Sequence, residues 1–144
     1  MKKKIYILNG PNINMTGVRE TDIYGEETLY EINAALAEYA DSIDVDVEFY
    51  QYNSEGSIID CLQDAHNCAD GIILNAGAYT HYSYAIRDAI ASIAPPVIEV
   101  HMSNIFARDQ YRSHSVISDV CIGTISGFGS KSYQLAMEAL VNWY

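Results

Sequence analysis

The chain has 144 residues, 49% of them hydrophobic, and a formal net charge of -11, which leaves room for one domain around one core. Its apolar runs are short, far below the roughly 18 to 20 residues of a membrane-spanning helix, and its acidity opposes a phosphate backbone, so neither a membrane nor a nucleic acid is expected as a partner. The basic start Met1-Lys2-Lys3-Lys4 runs directly into Ile5-Tyr6-Ile7-Leu8 without the apolar core and cleavage site of a signal peptide, so a cytoplasmic location is expected.

Taken in chain order, Ile5–Leu8 reads as the first strand and Gly10–Gly25 as a long irregular stretch, which in a compact domain suggests a lid. Leu29, Ile32, Leu36, Tyr39 and Ile43 recur at helical spacing, and Thr28 with Glu31 forms the S/T-x-x-E capping box that starts such a helix. Val45–Tyr52 is the second strand, followed by a helical pattern at Ile58, Ile59 and Leu62. Gly71–Leu74 is the third strand, with a helix marked by Ile86, Ile90 and Ile93, and Pro96–Val100 is the fourth. Val120–Ile125 is the fifth, and Tyr133, Ala136, Met137 and Leu140 mark a last helix. Strands one, three and four are nearly continuous apolar runs, as parallel strands covered on both faces require. The alternation implies an α/β fold with an open, doubly wound five-stranded parallel sheet in flavodoxin-like order, as a single domain over residues 1–144.

In such sheets ligands bind beyond the carboxyl ends of the strands. Those ends carry Asn9 to Asn12, Asn53 to Glu55, Asn75 with Gly77, Thr80 and His81, His101 with Ser103 and Asn104, and Ser126 to Gly129. Arg19, Arg108 and Arg112 fall in loops at the same edge of an acidic protein, which points to a small anionic ligand. Cys61, Cys68 and Cys121 are odd in number and lack CxxC spacing, so reduced structural thiols are expected rather than disulfides or a metal site.

Strand four holds the residues most unusual for its setting. In Val97-Ile98-Glu99-Val100-His101 a carboxylate interrupts an apolar strand, and Glu99 and His101, two residues apart, point to one face. A carboxylate beside an imidazole favours the charged ring and prepares it to donate a proton. A structural pair closing the strand end is the plainer reading of the same residues. Tyr24, at the end of the irregular stretch, is a candidate to fold over the same edge as a complementary base, although most of the 12 tyrosines must fill core or surface.

The runs Leu8-Asn9-Gly10-Pro11-Asn12, Gly17-Val18-Arg19-Glu20 with Tyr24-Gly25, Asn53-Ser54-Glu55-Gly56, Asn75-Ala76-Gly77-Ala78-Tyr79-Thr80-His81, Ile86-Arg87-Asp88, Glu99 to Ile105 and Ala107-Arg108 resemble the type II 3-dehydroquinate dehydratases. The resemblance implies a hydro-lyase of the shikimate pathway without cofactor or metal. It implies Tyr24 as the base beside the ring ketone, Arg19 favouring its tyrosinate, and His101 as the acid for the departing hydroxyl. Asn12 would hold the water that stabilises the enolate, Glu99 would orient His101, and Arg108 would add positive charge near the base. The substrate carboxylate would lie on Ser103 and the backbone of Met102, and its hydroxyls on Asn75, His81 and Arg112, with Asp88 arriving from a neighbouring subunit of a dodecamer built of trimers. The chain departs from the family pattern at Asn14-Met15-Thr16-Gly17, at Glu20-Thr21-Asp22 and at Met102.

Two other classes fit the residues less well. A non-catalytic flavodoxin-like module binding a nucleotide or small anion fits the fold, but Gly127-Phe128-Gly129 lacks a third glycine and no GxxxxGK occurs. A metal hydrolase using His81 and His101 lacks close ligand spacing.

Overall fold

Period-two alternation within short apolar strands dictates the layering. In a computed structural model, which describes residues 2–18 and 26–143, the strands β1 (Lys3–Asn9), β2 (Val45–Gln51), β3 (Gly71–Asn75), β4 (Val97–His101) and β5 (Gly123–Ser126) form one parallel sheet in the order β2-β1-β3-β4-β5. Ile5 and Ile7 turn to one face with Ile73, Ile98 and Val100, and bury against helices α1 (Leu29–Ser42) and the C-terminal helix, Lys131–Val141. Tyr6, Leu8, Ile72 and Leu74 turn to the other face and pack on α2 (Glu55–Ala65) and α3 (Tyr84–Ser92). Burial of each such large aliphatic side chain contributes about 1.5–3 kcal/mol, so helices on both faces are what stabilise an all-apolar strand. A short helix α4 (Gln110–Ser113) follows β4, and the C-terminal helix is α5.

The expected flavodoxin-like order is the one observed. The capping box also forms: Thr28 Oγ1 accepts from the Glu31 N–H, and the Thr28 N–H donates to Glu31 Oε1. One boundary differs. Strand five was expected from Val120, but Ser118–Val120 is a 3-10 turn and β5 begins at Gly123. Ser115 Oγ accepts from the N–H groups of Ile117 and Ser118 and bends the chain there, and Val120 N–H closes back on the Ile117 carbonyl. Ile93, expected within the third helix, lies one residue past the end of α3 in extended conformation, with Pro95 two residues on.

The ends of the sheet are chemically opposite. At the amino-terminal ends, Lys3 Nζ donates to the carbonyls of Leu140, Val141 and Trp143 and closes the C-terminus of α5, while Lys4 pairs with Glu48 and Lys2 with Asp44. The carboxyl-terminal ends carry the polar loops. No described helix is long and apolar enough to cross a membrane.

Candidate active site

Two glycines let the loops after β1 and β3 approach each other. A Cβ on Gly10 would come within 2.6 Å of the Ala76 carbonyl, and Gly77, at φ 61°, lies against the Pro11 carbonyl. The Gly10 N–H donates to the Asn75 carbonyl at 2.7 Å, locking the two loops side by side. Asn12 sits in the left-handed region at φ 68°, which asparagine tolerates better than most residues, and its N–H donates to Asn53 Oδ1. On the far side of the first loop, Gly17 (φ 87°) lies so close to the Glu26 and Glu27 backbone that a Cβ would fall within 2.7 Å of the Glu26 carbonyl. The chain on either side of residues 19–25 therefore meets at Gly17. Arg19 and Tyr24 lie outside the described residues.

The loops after β1, β3 and β4 enclose a cleft at the carboxyl-terminal edge. Asn12 lines it from the first loop, Asn75 and His81 from the second, and His101, Met102, Ser103, Arg108 and Arg112 from the third. Two of the three arginines expected at this edge are thus in the cleft. The loops after β2 and β5, which were expected to contribute directly, stand behind it: Asn53 and Gln51 brace the first loop, and Ser126 Oγ donates to the Ser103 carbonyl. Asp88, on an exposed face of α3, does not line the cleft of its own chain.

Among the described residues, Glu99 and His101 form a buried carboxylate–imidazole pair. Glu99 is fully buried, and its Oε2 lies 2.5 Å from His101 Nε2. Its Oε1 accepts from Ser118 Oγ at 2.5 Å, Ser115 Oγ at 3.2 Å and Thr124 Oγ1 at 3.4 Å. Burial pushes the Glu99 carboxyl up, but the bonds from His101, Ser118 and Ser115 outweigh it and hold the carboxyl below its ordinary value. Glu99 is therefore an anion wherever the fold persists near neutral pH. Nearby Cys121 is the converse case: burial, with the charges of Glu99 and Asp119, pushes its thiol up to about 12, so it stays neutral.

His81 has its tautomer assigned by its partner. Its Nδ1 lies 2.7 Å from the His114 carbonyl, which can only accept, so Nδ1 carries the proton and Nε2 of the neutral ring is an acceptor. Arg112 stacks 5.3 Å from the Tyr111 ring centroid, and its Nε donates to Tyr111 Oη.

Tyr133, Ser115 and Ser118 stand behind the cleft and are not singled out as site residues by the sequence. Asn75 Nδ2 donates to Tyr133 Oη at 2.9 Å, Tyr133 Oη donates to Asn9 Oδ1 at 2.6 Å, and Asn75 Oδ1 accepts from the Gly77 N–H. Tyr133, Asn9 and Asn75 are all buried, so this chain fixes the Asn75 amide with one N–H left over. Tyr133 is also part of the helix core, as its spacing in the sequence suggests. The serines on Glu99 had no reading at all.

The sequence and the fold can be set against known proteins. The family model described as Dehydroquinase class II matches residues 3–141. The chain belongs to that family. A 3-dehydroquinate dehydratase of Acaryochloris marina is 50% identical over 141 residues, covering 98% of this chain and 95% of the relative. One from Bacillus cereus is 52% identical over 139 residues, covering 96% and 95%. A crystal structure of type II dehydroquinase from Butyrivibrio crossotus superposes with a TM-score of 0.96 at 48% identity, over 98% of this chain and 99% of that one. A class II dehydroquinase is a hydro-lyase.

Proposed function

We propose that the cleft eliminates water from 3-dehydroquinate to give 3-dehydroshikimate through an enolate, with Tyr24 as base and His101 as acid. The observation that carries this reading is the meeting, in one cleft, of His101 with Arg108 and Arg112, His101 being backed by the buried Glu99. Loss of a β-hydroxyl from a ketone needs a base at the α-carbon, stabilisation of the enolate and an acid for the leaving group. Tyr24 takes the α-proton, and the electron pair of that C–H bond moves into the enolate. Arg19 and Arg108 favour the tyrosinate, and Asn12 holds a water on the enolate oxygen. When the enolate collapses, the C–O bond breaks, and the departing hydroxyl takes a proton from His101 to leave as water. Glu99 orients the imidazole; with Nε2 committed to Glu99, Nδ1 serves the substrate.

The substrate carboxylate rests on Ser103 and the backbone of Met102. Its hydroxyls meet the remaining N–H of Asn75, the acceptor Nε2 of His81, and Arg112. Asp88 completes the site from a neighbouring subunit of a dodecamer built of trimers. An imine route would need a lysine, and none of Lys2, Lys3, Lys4 or Lys131 lines the cleft. In the alternative of a non-catalytic anion-binding module, the buried Glu99–His101 pair would serve only to close the strand end.

The test is to mix purified protein with 3-dehydroquinate and follow the enone absorbance of the product, with and without borohydride. Turnover that survives borohydride in the presence of substrate is expected. Absence of enone, or irreversible inactivation through a lysine adduct, contradicts the reading.

A further inference from the structure

The segment between α4 and β5 is placed with more bonds than a connecting loop needs. The His114 carbonyl accepts from His81 Nδ1, the Val116 N–H donates to the Thr80 carbonyl, and Ile117 is fully buried beside Ile86 and Ile90. Arg87 of α3 donates to the Val116 carbonyl at 3.1 Å and pairs with Asp119. From this anchored segment two hydroxyls reach Glu99. Ser115 Oγ already accepts from the N–H groups of Ile117 and Ser118, so its own proton is directed at Glu99 Oε1. Ser118 Oγ is the closer of the two, at 2.5 Å.

We propose that Ser115 and Ser118 are positioning residues of the dehydration: their hydroxyls fix Oε1 of Glu99, so that Oε2 is presented to His101 in one geometry. The inference rests on the reading of Glu99 as the residue that orients the acid. A carboxylate can swing about its last torsion and exchange its oxygens. Hydroxyl donors on one oxygen remove that freedom and leave the other for the imidazole. They also satisfy a buried anion that would otherwise take a proton. The groups facing Glu99 from the packed elements are His101 on β4, Thr124 on β5, and the neutral thiol of Cys121 with Asp119 beyond it, the latter paired with Arg87. Among the described residues in that shell, the serines and Thr124 are the donors that do not themselves change charge. Because the segment also holds His81 by its tautomer, one rigid stretch sets both histidines of the cleft.

Ser118 gives the cleaner test, since Ser115 also shapes the turn. The Glu99 carboxyl is followed by 13C NMR titration of glutamate-labelled enzyme, with Glu99→Gln to assign its signal, in the native chain, Ser118→Ala and Ser118→Thr. Steady-state turnover of 3-dehydroquinate is measured on the same samples. In Ser118→Ala the Glu99 midpoint rises by about one pH unit, and kcat falls about 10-fold with KM nearly unchanged, because Ser118 does not line the cleft. Ser118→Thr, which keeps the hydroxyl, restores both. An unmoved midpoint with native kcat in Ser118→Ala, while Glu99→Gln loses turnover, overturns the role of the serine. Full turnover in Glu99→Gln overturns instead the reading of Glu99 and His101 on which the proposal rests.

Discussion

Glu99 and His101 stand two residues apart on one face of β4, with Oε2 and Nε2 2.5 Å apart and no solvent on the carboxylate. The carboxyl is held below its ordinary value, so its folded form binds fewer protons than its unfolded form in the acid range. The sign follows. The stability that Glu99 contributes is complete above its unfolded pKa near ~4.3 and is lost as pH falls through its depressed folded value. Glu99→Gln keeps the volume and removes the titration. Its denaturant midpoint is expected to fall less steeply than that of the native chain below pH ~4.3, and its turnover to drop at least ~10-fold at neutral pH. Parallel acid-unfolding curves measured by circular dichroism would contradict the first expectation.

Tyr133→Phe removes one oxygen from a buried chain. Asn75 Nδ2 and Asn9 Oδ1 then lose their partner, which costs about 1–3 kcal/mol of stability. The freed Asn75 amide rotates away from the substrate hydroxyl, so KM is expected to rise several-fold with kcat less affected. Urea unfolding and steady-state kinetics on one preparation separate the two effects. A loss of stability with native KM would mean that Tyr133 is core and nothing more.

These cases show what was legible in the residues. Strands β1, β3 and β4 were, because burial on both faces forces continuous apolar runs, and so was the helix begun by Thr28 and Glu31. Strand β5 starts later than the sequence suggests, because Val120 and Cys121 look like strand while Ser115, five residues before Val120, bends the chain. Glu99 and His101 stood out because a charge in an apolar strand is conspicuous at a spacing of two. Ser115 and Ser118 did not, since a loop serine has no signature until the loop's path brings it to a carboxylate 16 and 19 positions away. The Tyr133–Asn9 bond spans 124 residues, which no local pattern reports. The placing of Asp88 and the roles of Arg19 and Tyr24 came from resemblance to a family rather than from any local rule.

The proposed role of Asp88, exposed on α3, requires a second copy of the chain. Sedimentation velocity is expected to show a dodecamer, a mass about twelve times 16.0 kDa. Asp88→Asn and His101→Asn chains, each weakly active, should gain activity when refolded together, because some mixed sites then hold both native groups. A fully active monomer, or no gain on mixing, would contradict a site shared between subunits.

Tyr24 carries the central claim, since an elimination without its base has no first step. A phenol with its ordinary pKa near ~10 is mostly protonated at neutral pH, and the proposed account relies on arginine charge to favour its tyrosinate. The most direct measurement is steady-state turnover of 3-dehydroquinate by Tyr24→Phe, beside the native chain and with oligomer size and substrate binding recorded on the same sample. Native assembly, near-native binding and a loss of at least ~100-fold in kcat are predicted. Near-native kcat in Tyr24→Phe would place the base elsewhere and contradict the account.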